Sequence, residues 1–457
     1  LFRILLRLRK FRYAVTADVS EMFLQVILNP RDRRYHRFIH ETRDYEWNSM
    51  LFGNVASPNA SQKVFATLCE QFGTPYPEAV ETLRSSFYMD DVSDSRPTEE
   101  EALKLANELV DILKKASMII RKFYSNSPLL LKTLDQSLLA KQVTIGDNVI
   151  SVEPGKILGM KYNAGENADY LSFNGRFKSI REWTSRSETT FVNPGEWTKR
   201  KIASAAASIY DPHGLIATFT VLSKVFLQEI WRHTELDWDT IIPRHLSDGW
   251  ESWLEQVFVI QGLQIQRWTH YEPRCTIQVH TFCDASEQGM CVAVYLRVKT
   301  RKEIHTVLIA AKARVSPLKA ESISRLELVA CTMGVRLSHA VREIYNVKPE
   351  DTFFWTDSMV CMHWISMPAK AFKAYVAHRV GEIQNFTEPR QWKHVPTKMN
   401  PADIGTRDIT ATELRNSSLW WDGPEFLRQP STEWPNRTII QVKDDLEMKP
   451  SMFKSTS

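Results

Sequence analysis

The stretch SFYMDDVSDS, residues 86–95, sets two adjacent carboxylates, Asp90 and Asp91, between Phe87-Tyr88-Met89 and the β-branched Val92. Adjacent acids within one strand point to opposite faces, whereas a turn lets both reach one space. FYMDD therefore predicts a tight hairpin with its acids near the tip. Upstream, RYAVTADV (12–19) alternates as a strand does and delivers Asp18 at its carboxyl end, with Phe23 five residues later. Between these segments, LFGNVASP (51–58) offers Phe52, Gly53 and a run of small residues where a backbone can approach a ligand. A two-Asp turn on its own is commonly a solvated surface feature. Three acids brought together repel and raise one another's pKa. Hard divalent ions make such a cluster tolerable, because they take oxygen ligands. Two Mg²⁺ about 3.5–4 Å apart hold the attacking and leaving oxygens of a phosphoryl transfer.

A second set of acids lies beyond Pro273, where the pattern changes. TIQVHTFCDAS (276–286), MCVAVYLRV (290–298) and HTVLIAAKARV (305–315) read as three consecutive strands, the first pair joined at Glu287-Gln288-Gly289. A helix is predicted from about Ser322 to Tyr345, with Ile323, Leu326, Ala330, Met333, Leu337, Val341 and Ile344 on its apolar side. Strand DTFFWTDS (351–358), a helix near 359–366, another helix, strand QWKHVP (391–396) and a last short helix complete a mixed α/β layout. Asp284 lies at the middle or end of the first strand, Glu327 on the long helix, Asp357 at the end of the fourth strand and Asp403 at the start of the last helix. Each has a structural alternative: Asp284 in a turn, Asp403 as a helix cap after Pro401, Glu327 paired with Arg325 or Arg336. Their joint order, strand-Asp, helix-Glu, strand-Asp, helix-Asp, is far more specific than any one of them.

The chain of 457 residues is long enough for two or three domains, and its 43% apolar and 25% charged residues suit a globular protein. The net charge of +4 says little, but LLRLRKFR (5–12) and NPRDRRYHRF (29–38) are basic with aromatics interleaved. They read equally as solvated faces and as footprints for a phosphate backbone. The six cysteines show no C-x-x-C spacing and read as small buried thiols. No signal peptide is visible, and GLIATFTVLSKVFLQEIW is too polar to span a bilayer. The chain opens at Leu1 within an apolar-basic pattern, as an excerpt of a longer polypeptide would.

EEEALKLANELVDILKKA (99–116) predicts an amphipathic helix, its stripe formed by Leu103, Ala106, Leu109, Val110 and Leu113. KQVTIGDNVISVEPGKILGM (141–160) predicts a hairpin turning at Gly146-Asp147, then a strand. Residues 170–262 read as mostly helical, interrupted by DPHG (211–214), and the tail beyond about 430 as loose.

TADVSEMFLQV, LFGNVASP and FYMDD, in that order, resemble the successive palm motifs of retroelement reverse transcriptases, and KILGM (156–160) resembles their primer-grip hairpin. The resemblance implies that Asp18 and Asp90 are metal ligands and Asp91 an auxiliary acid. It implies that Phe23 is the aromatic gate beneath the sugar, which excludes a 2′-hydroxyl, and that Phe52 and Gly53 line the nucleotide pocket. The later acids resemble the D-E-D-D set of ribonuclease H folds. That implies two Mg²⁺, or Mn²⁺, held by Asp284, Glu327, Asp357 and Asp403, and a water in line with the scissile phosphate. Many such enzymes carry a mobile His before the last helix. Lys398 stands roughly there in VPTKMNPAD, and His394 reads as structural.

More narrowly, DVSEMFLQV, WTKRKIASAAASIYDPHGLIA and the DWD segment are similar to the BEL/Pao class of long-terminal-repeat retrotransposons, over roughly residues 1–425. The resemblance implies an α/β and α+β multidomain fold. A reverse-transcriptase palm would occupy 1–165, a thumb/connection (Pao) block 166–268, a ribonuclease H-like domain 269–425 and a loose tail 426–457. Fingers would lie upstream and a DNA-integration module downstream. The implied partners are an RNA template, a DNA primer, an RNA–DNA hybrid, dNTPs and the rest of a Pol polyprotein, with no membrane. The implied setting is a cytoplasmic virus-like particle or the nucleus. Family nomenclature calls the Pao block a peptidase, but the Asp-Thr/Ser-Gly of aspartic peptidases does not occur here. The competing reading is an inactive or host-adopted nucleic-acid-binding relic, against which all seven acids stand intact.

Overall fold

A computed structural model describes residues 1–140, 142–145, 148–152, 155–165, 168–173, 197–437 and 446–449. It forms two compact units, Leu1–Leu171 with Ile265–Pro273, and Ser172–Gln264 with Arg274–Ser457.

The first unit opens with helix α1 (Phe2–Lys10) and strand β1 (Tyr13–Val19), followed by α2 (Ser57–Phe72), α3 (Pro77–Ser85), β2 (Phe87–Tyr88), β3 (Asp91–Arg96), α4 (Glu99–Lys115) and β4 (Ile120–Ser125). The sheet order is β2-β3-β1-β4, with β1 antiparallel to both neighbours. Helix α4 forms where expected. Thr98 caps its N-terminus by accepting from Glu101 N–H, three glutamates fill the first turn, and Lys114 and Lys115 end it, all favourable to the helix dipole. Its buried stripe is Ala102, Leu105, Ala106, Leu109, Ile112 and Leu113, packed with Val15, Val19, Phe65, Val92 and Phe123. Leu103 and Val110, predicted in that stripe, lie at its half-buried margin.

A second sheet of this unit joins Gly155–Ile157, β5 (Met160–Gly165), β6 (Ala168–Phe173) and Ile265–Gln266. Leu158 (φ 48°) and Gly159 (φ 93°) make the two-residue turn of the KILGM hairpin, the geometry that matches strand twist. The hairpin Gln142–Ile145/Asn148–Val152 is present, and its predicted turn at 146–147 lies outside the described residues. Arg267 fastens this sheet to the start of the chain. It is fully buried, pairs with Asp169 at 2.6 and 2.8 Å, and donates to the carbonyls of Leu8, Phe11 and Arg12.

The second unit holds α5 (Lys199–Ala207), α6 (Ala217–Arg232) and α7 (Arg244–Glu255), then β7 (Thr276–Ala285), β8 (Gly289–Lys299) and β9 (Ile304–Val315). There follow α8 (Ile323–Tyr345), β10 (Thr352–Thr356), α9 (Met359–Ser366), α10 (Ala374–Phe386) and β11 (Trp392–His394). The order is β9-β8-β7-β10-β11, an antiparallel meander continued by two strands parallel to β7. Residues 170–173, expected as helix, belong to β6 instead, and 174–196 lie outside the described residues.

The helices of the Pao block, expected as a separate thumb and connection, share this unit with the α/β sheet. DPHG joins them. Asp211 accepts from Leu215 N–H (2.9 Å) and Ile216 N–H (2.8 Å) ahead of α6, and burial pushes its carboxyl up to about 6. His213 C=O accepts from Ala311 N–H on β9 at 2.7 Å. Gly214 has φ +70°, and a Cβ there would stand 1.8 Å from the Ala311 oxygen. Gly214→Ala is therefore expected to cost roughly 2–4 kcal/mol, from αL strain plus overpacking. An unmoved urea midpoint would contradict that close approach.

The described residues of the tail include several packed side chains. Phe426, Leu427 and Trp434 are buried, Trp434 lies edge-on to His280 and Phe353, and Met448 pairs with Phe372. A few large anchors outweigh the Pro and Ser around them.

Candidate active sites

In the first unit the antiparallel register sets Asp18 directly opposite Asp91. Asp90 occupies the tight turn between β2 and β3, where Met89 has φ +55°, and its carbonyl accepts from Val19 N–H at 2.8 Å. All three predicted acids thus meet at one sheet end. Burial, with Asp90 and Asp18 beside it, pushes Asp91 up to about 6. Burial and Asp18 also raise Asp90.

One participant escaped the sequence reading. Lys122 Nζ lies 3.3 Å from Asp18 Oδ2. The β1–β4 register slips between Thr16 and Asp18, leaving an extra residue on β4, and Lys122 takes φ +57° there. Such bulges re-aim side chains. Nothing in RKFYSN announces a bulge. Phe23 is buried in the turn Met22–Gln25 and meets Phe52 edge-on, centroids 5.0 Å apart. Phe52 is exposed, and Gly53 has φ +85° with open space where a Cβ would be.

In the second unit, Phe282 on β7 pairs in parallel register with Trp355 on β10. Asp284 stands two residues further along β7 and Asp357 one residue past the end of β10, so the parallel pairing carries these acids to the same end of the sheet. Glu327 reaches the same end from α8, and Asp403 from the 3₁₀ turn Pro401–Thr406. The cap of that turn is Asn400, whose side chain accepts from Ala402 N–H, so Asp403 is not needed as one. Nor is Glu327 spent on arginine: Arg325 pairs with Glu321 and Glu447, and Arg336 with Glu382.

Three hydroxyls address three of these carboxylates, each at 2.6 Å: Thr406 donates to Asp284 Oδ2, Ser358 to Glu327 Oε2 and Thr397 to Asp357 Oδ2. Arg407 holds Asp403 at 2.8 Å. Burial, with Asp357 and the other acids near, pushes Asp284 and Glu327 up to about 7. Asp403 is raised by burial and by Asp357, against Arg407. His394 lies in β11 as expected, and burial lowers its pKa. Of the hydroxyls, only Ser358 had a sequence signal, as the cap of α9.

Among the described residues no three His, Cys, Asp or Glu side chains stand close enough to enclose a metal ion as they are placed. Asp18 pairs with Lys122 and Asp403 with Arg407. The donor sets nevertheless fit Mg²⁺ or Mn²⁺. Every candidate donor is a carboxylate oxygen, and Asp357 Oδ1 is buried with no hydrogen-bond partner.

Residues 3–123 match the family model described as reverse transcriptase (RNA-dependent DNA polymerase), which covers Asp18, Phe23, Phe52, Gly53, Asp90, Asp91 and Lys122. Residues 198–358 match that of the Pao retrotransposon-like RNaseH-like domain, which covers the block with Asp284, Glu327 and Asp357. That description replaces the peptidase label. No match was found among curated proteins. Among solved structures, a foamy viral protease-reverse transcriptase in complex with RNA/DNA hybrid matches at 15% identity and TM-score 0.52, over 87% of this chain and 45% of that one. The dRH form of the foamy viral enzyme, in complex with double-stranded DNA, matches at 14% identity and TM-score 0.50, over 86% and 58%. The chain thus spans about half the length of these structures. Likeness at this identity is one of fold, and the fold is that of a reverse transcriptase. Two family segments in this order on that fold support a Pao-type retrotransposon Pol.

Proposed function

We propose that the first unit extends a DNA primer along an RNA template from dNTPs, and that the second cuts the RNA of an RNA–DNA hybrid. The observation that carries this reading is that each unit gathers several acids at one sheet end, raised by burial and by one another. Asp18 and Asp90, with Asp91 auxiliary, would hold Mg²⁺ or Mn²⁺ in one site, and Asp284, Glu327, Asp357 and Asp403 in the other, two ions in each. Such ions supply charge neutralisation and an activated oxygen for phosphoryl transfer.

The chain's own groups do the rest. Phe23, held edge-on by Phe52, would sit beneath the sugar and exclude a 2′-hydroxyl. Lys122 restrains Asp18. Thr406, Ser358 and Thr397 each occupy one oxygen of a carboxylate and leave the other for an ion. The palm is assigned to 1–165 and the ribonuclease H-like part to 269–425, with the intervening helices bracing the latter. The work would take place beside the remainder of a Pol polyprotein, in a cytoplasmic virus-like particle or the nucleus. Among the described residues no helix is long and apolar enough to cross a membrane.

The test uses a Pol polyprotein that contains this chain. Asp90→Ala is expected to lower primer extension on an RNA template by about 10³-fold or more, through the loss of a metal ligand worth several kcal/mol. Cleavage of hybrid should continue. Extension that survives Asp90→Ala removes the polymerase assignment, and a wild type inert in both assays favours the relic.

A further inference from the structure

Asp403 is the one acid of the second unit that neither a strand nor a long helix delivers, since it stands in the 3₁₀ turn Pro401–Thr406. Its place depends on whatever that turn rests against. In the antiparallel register Asp284 on β7 lies directly opposite Cys291 on β8, and directly opposite residues share a face. The turn follows that face residue for residue. Gly405, buried, lies against Cys291, and the next hydroxyl, that of Thr406, donates to Asp284 at 2.6 Å. Ser286 donates to the Thr406 carbonyl at 2.8 Å, and Asn400, wholly buried ahead of the turn, donates to the Cys283 carbonyl at 3.2 Å. Helix α8, which brings Glu327, covers the other face, where Gly334 lies against Cys283 and Thr281. Glu327 and Asp403 thus reach Asp284 from opposite sides of the sheet, on separate supports.

Part of the support for Asp403 comes from the Pao helices. Thr218 of α6, wholly buried, closes the seat beside Cys291. The chain leaving the turn is tied to the same helices. The Gln256 side chain, just past α7, accepts from Ala411 N–H at 2.8 Å, and the Leu215 carbonyl, just before α6, accepts from Trp420 Nε1 at 2.8 Å. Gly405 is not among the glycines of positive φ, so space rather than backbone torsion calls for glycine here. A Cβ there would overlap Cys291 Sγ and stand 2.8 Å from Cys291 Cβ and 3.1 Å from Thr218 Cγ2. A thiol can swing aside, but a Cβ is fixed to its strand, and β8 is paired along both edges. The turn is what has to give.

We propose that Gly405 is a positioning residue, whose flat contact with Cys291 and Thr218 sets Asp403 across from Asp284. The proposal rests on the ribonuclease reading of this unit. One methyl added at Gly405 lifts the turn off β8 and moves Asp403, two residues earlier in it, away from Asp284. Glu327, supported from α8, stays.

Gly405→Ala, Asp403→Asn, Val341→Ala and the double variant Gly405→Ala with Cys291→Gly are compared in the full chain. Gly405→Ala is expected to lower kcat for hybrid cleavage about 100-fold, the worth of a displacement of about 1 Å, with KM changed less than about twofold. The double variant, which clears the seat, should return to within about fivefold of wild type, a coupling that only neighbours in contact show. Its thermal midpoint should stay low, because a glycine weakens strand β8. Val341→Ala, wholly buried in the last turns of α8, lowers the midpoint as well and should cleave as wild type does. Mn²⁺ bound by each protein is counted from the electron spin resonance of the free ion. Gly405→Ala should lose the ion that Asp403→Asn loses, and the double variant should regain it. Cleavage and ion binding in Gly405→Ala equal to wild type overturn the proposal, and so does a double variant no better than the single one. A wild type that leaves hybrid uncut, while ion binding still falls in Gly405→Ala and returns in the double variant, keeps the positioning residue and loses the ribonuclease. A wild type that cuts hybrid, with Gly405→Ala and Val341→Ala losing cleavage only as their midpoints fall, loses only the positioning residue.

Discussion

Asp284→Asn is expected to abolish cleavage of RNA in a hybrid and, in the same protein, to raise the thermal midpoint at pH 8. On the proposed reading the first effect would be the loss of a donor to an ion that supplies several kcal/mol at the transition state, roughly 10³-fold in rate. The second follows from burial. The Asp284 carboxyl is 6% exposed and pushed up to about 7, against 3.8 for the free side chain. A carboxyl whose folded pKa lies above its unfolded value favours folding only while protonated. Its contribution is complete below about pH 4 and is lost as pH rises toward about 7. Glu327, also pushed up to about 7, acts in the same direction. Above that range the wild type carries an ionic strain of roughly 2–4 kcal/mol at Asp284, which the neutral amide removes while still accepting from Thr406. Differential scanning at pH 5 and pH 8, with and without Mg²⁺, checks both halves. Without metal, the gain from the substitution should be large at pH 8 and small at pH 5. In the wild type, Mg²⁺ should stabilise more at pH 8. Loss of cleavage together with loss of stability would instead make Asp284 a structural residue.

Arg267→Ala is expected to destabilise the first unit by roughly 3–5 kcal/mol, the usual cost of removing one member of a buried pair. The guanidinium is wholly buried, holds Asp169 in two hydrogen bonds and satisfies carbonyls of Leu8, Phe11 and Arg12. Removing it leaves three backbone acceptors unsatisfied and Asp169, half-buried, with the Tyr162 hydroxyl as a remaining donor. Arg267→Met, which keeps the volume, combined with Asp169→Asn should recover part of the loss. Urea unfolding followed by tryptophan fluorescence measures both variants. Equal midpoints for Arg267→Ala and wild type would show the network to be dispensable.

The meander β7–β9 was legible because its strands are long and its pairings short-range. The predicted strand 290–298 and the observed Gly289–Lys299 differ by one residue at each end. The acids were legible through their order, and the hairpin at Asp90 because a turn alone lets neighbouring acids share a space. Arg267 was not, since its partners are Asp169 and carbonyls of the first 12 residues, and no spacing encodes such distant contacts. Lys122 was hidden by a bulge, which leaves no mark on hydrophobic alternation. Thr397 and Thr406 were hidden because hydroxyls are common and only their aim distinguishes them. The Pao helices read as a separate domain because their amphipathic faces do not say which neighbour they cover. DPHG, taken for a break, proved to be the joint.

The pairing of Phe282 with Trp355 has a consequence for reading related copies. Asp284 and Asp357 reach the same end of the sheet because two parallel strands keep step, so their meeting is inherited from the pairing rather than arranged by the acids. Inserting or deleting one residue within Thr352–Thr356 would turn Asp357 to the far side of the sheet. All four acids would survive in such a copy, in order and unaltered, and the centre would be gone. An inventory of intact acids therefore overstates how many copies can act; strand length between them is the stricter test of a living element.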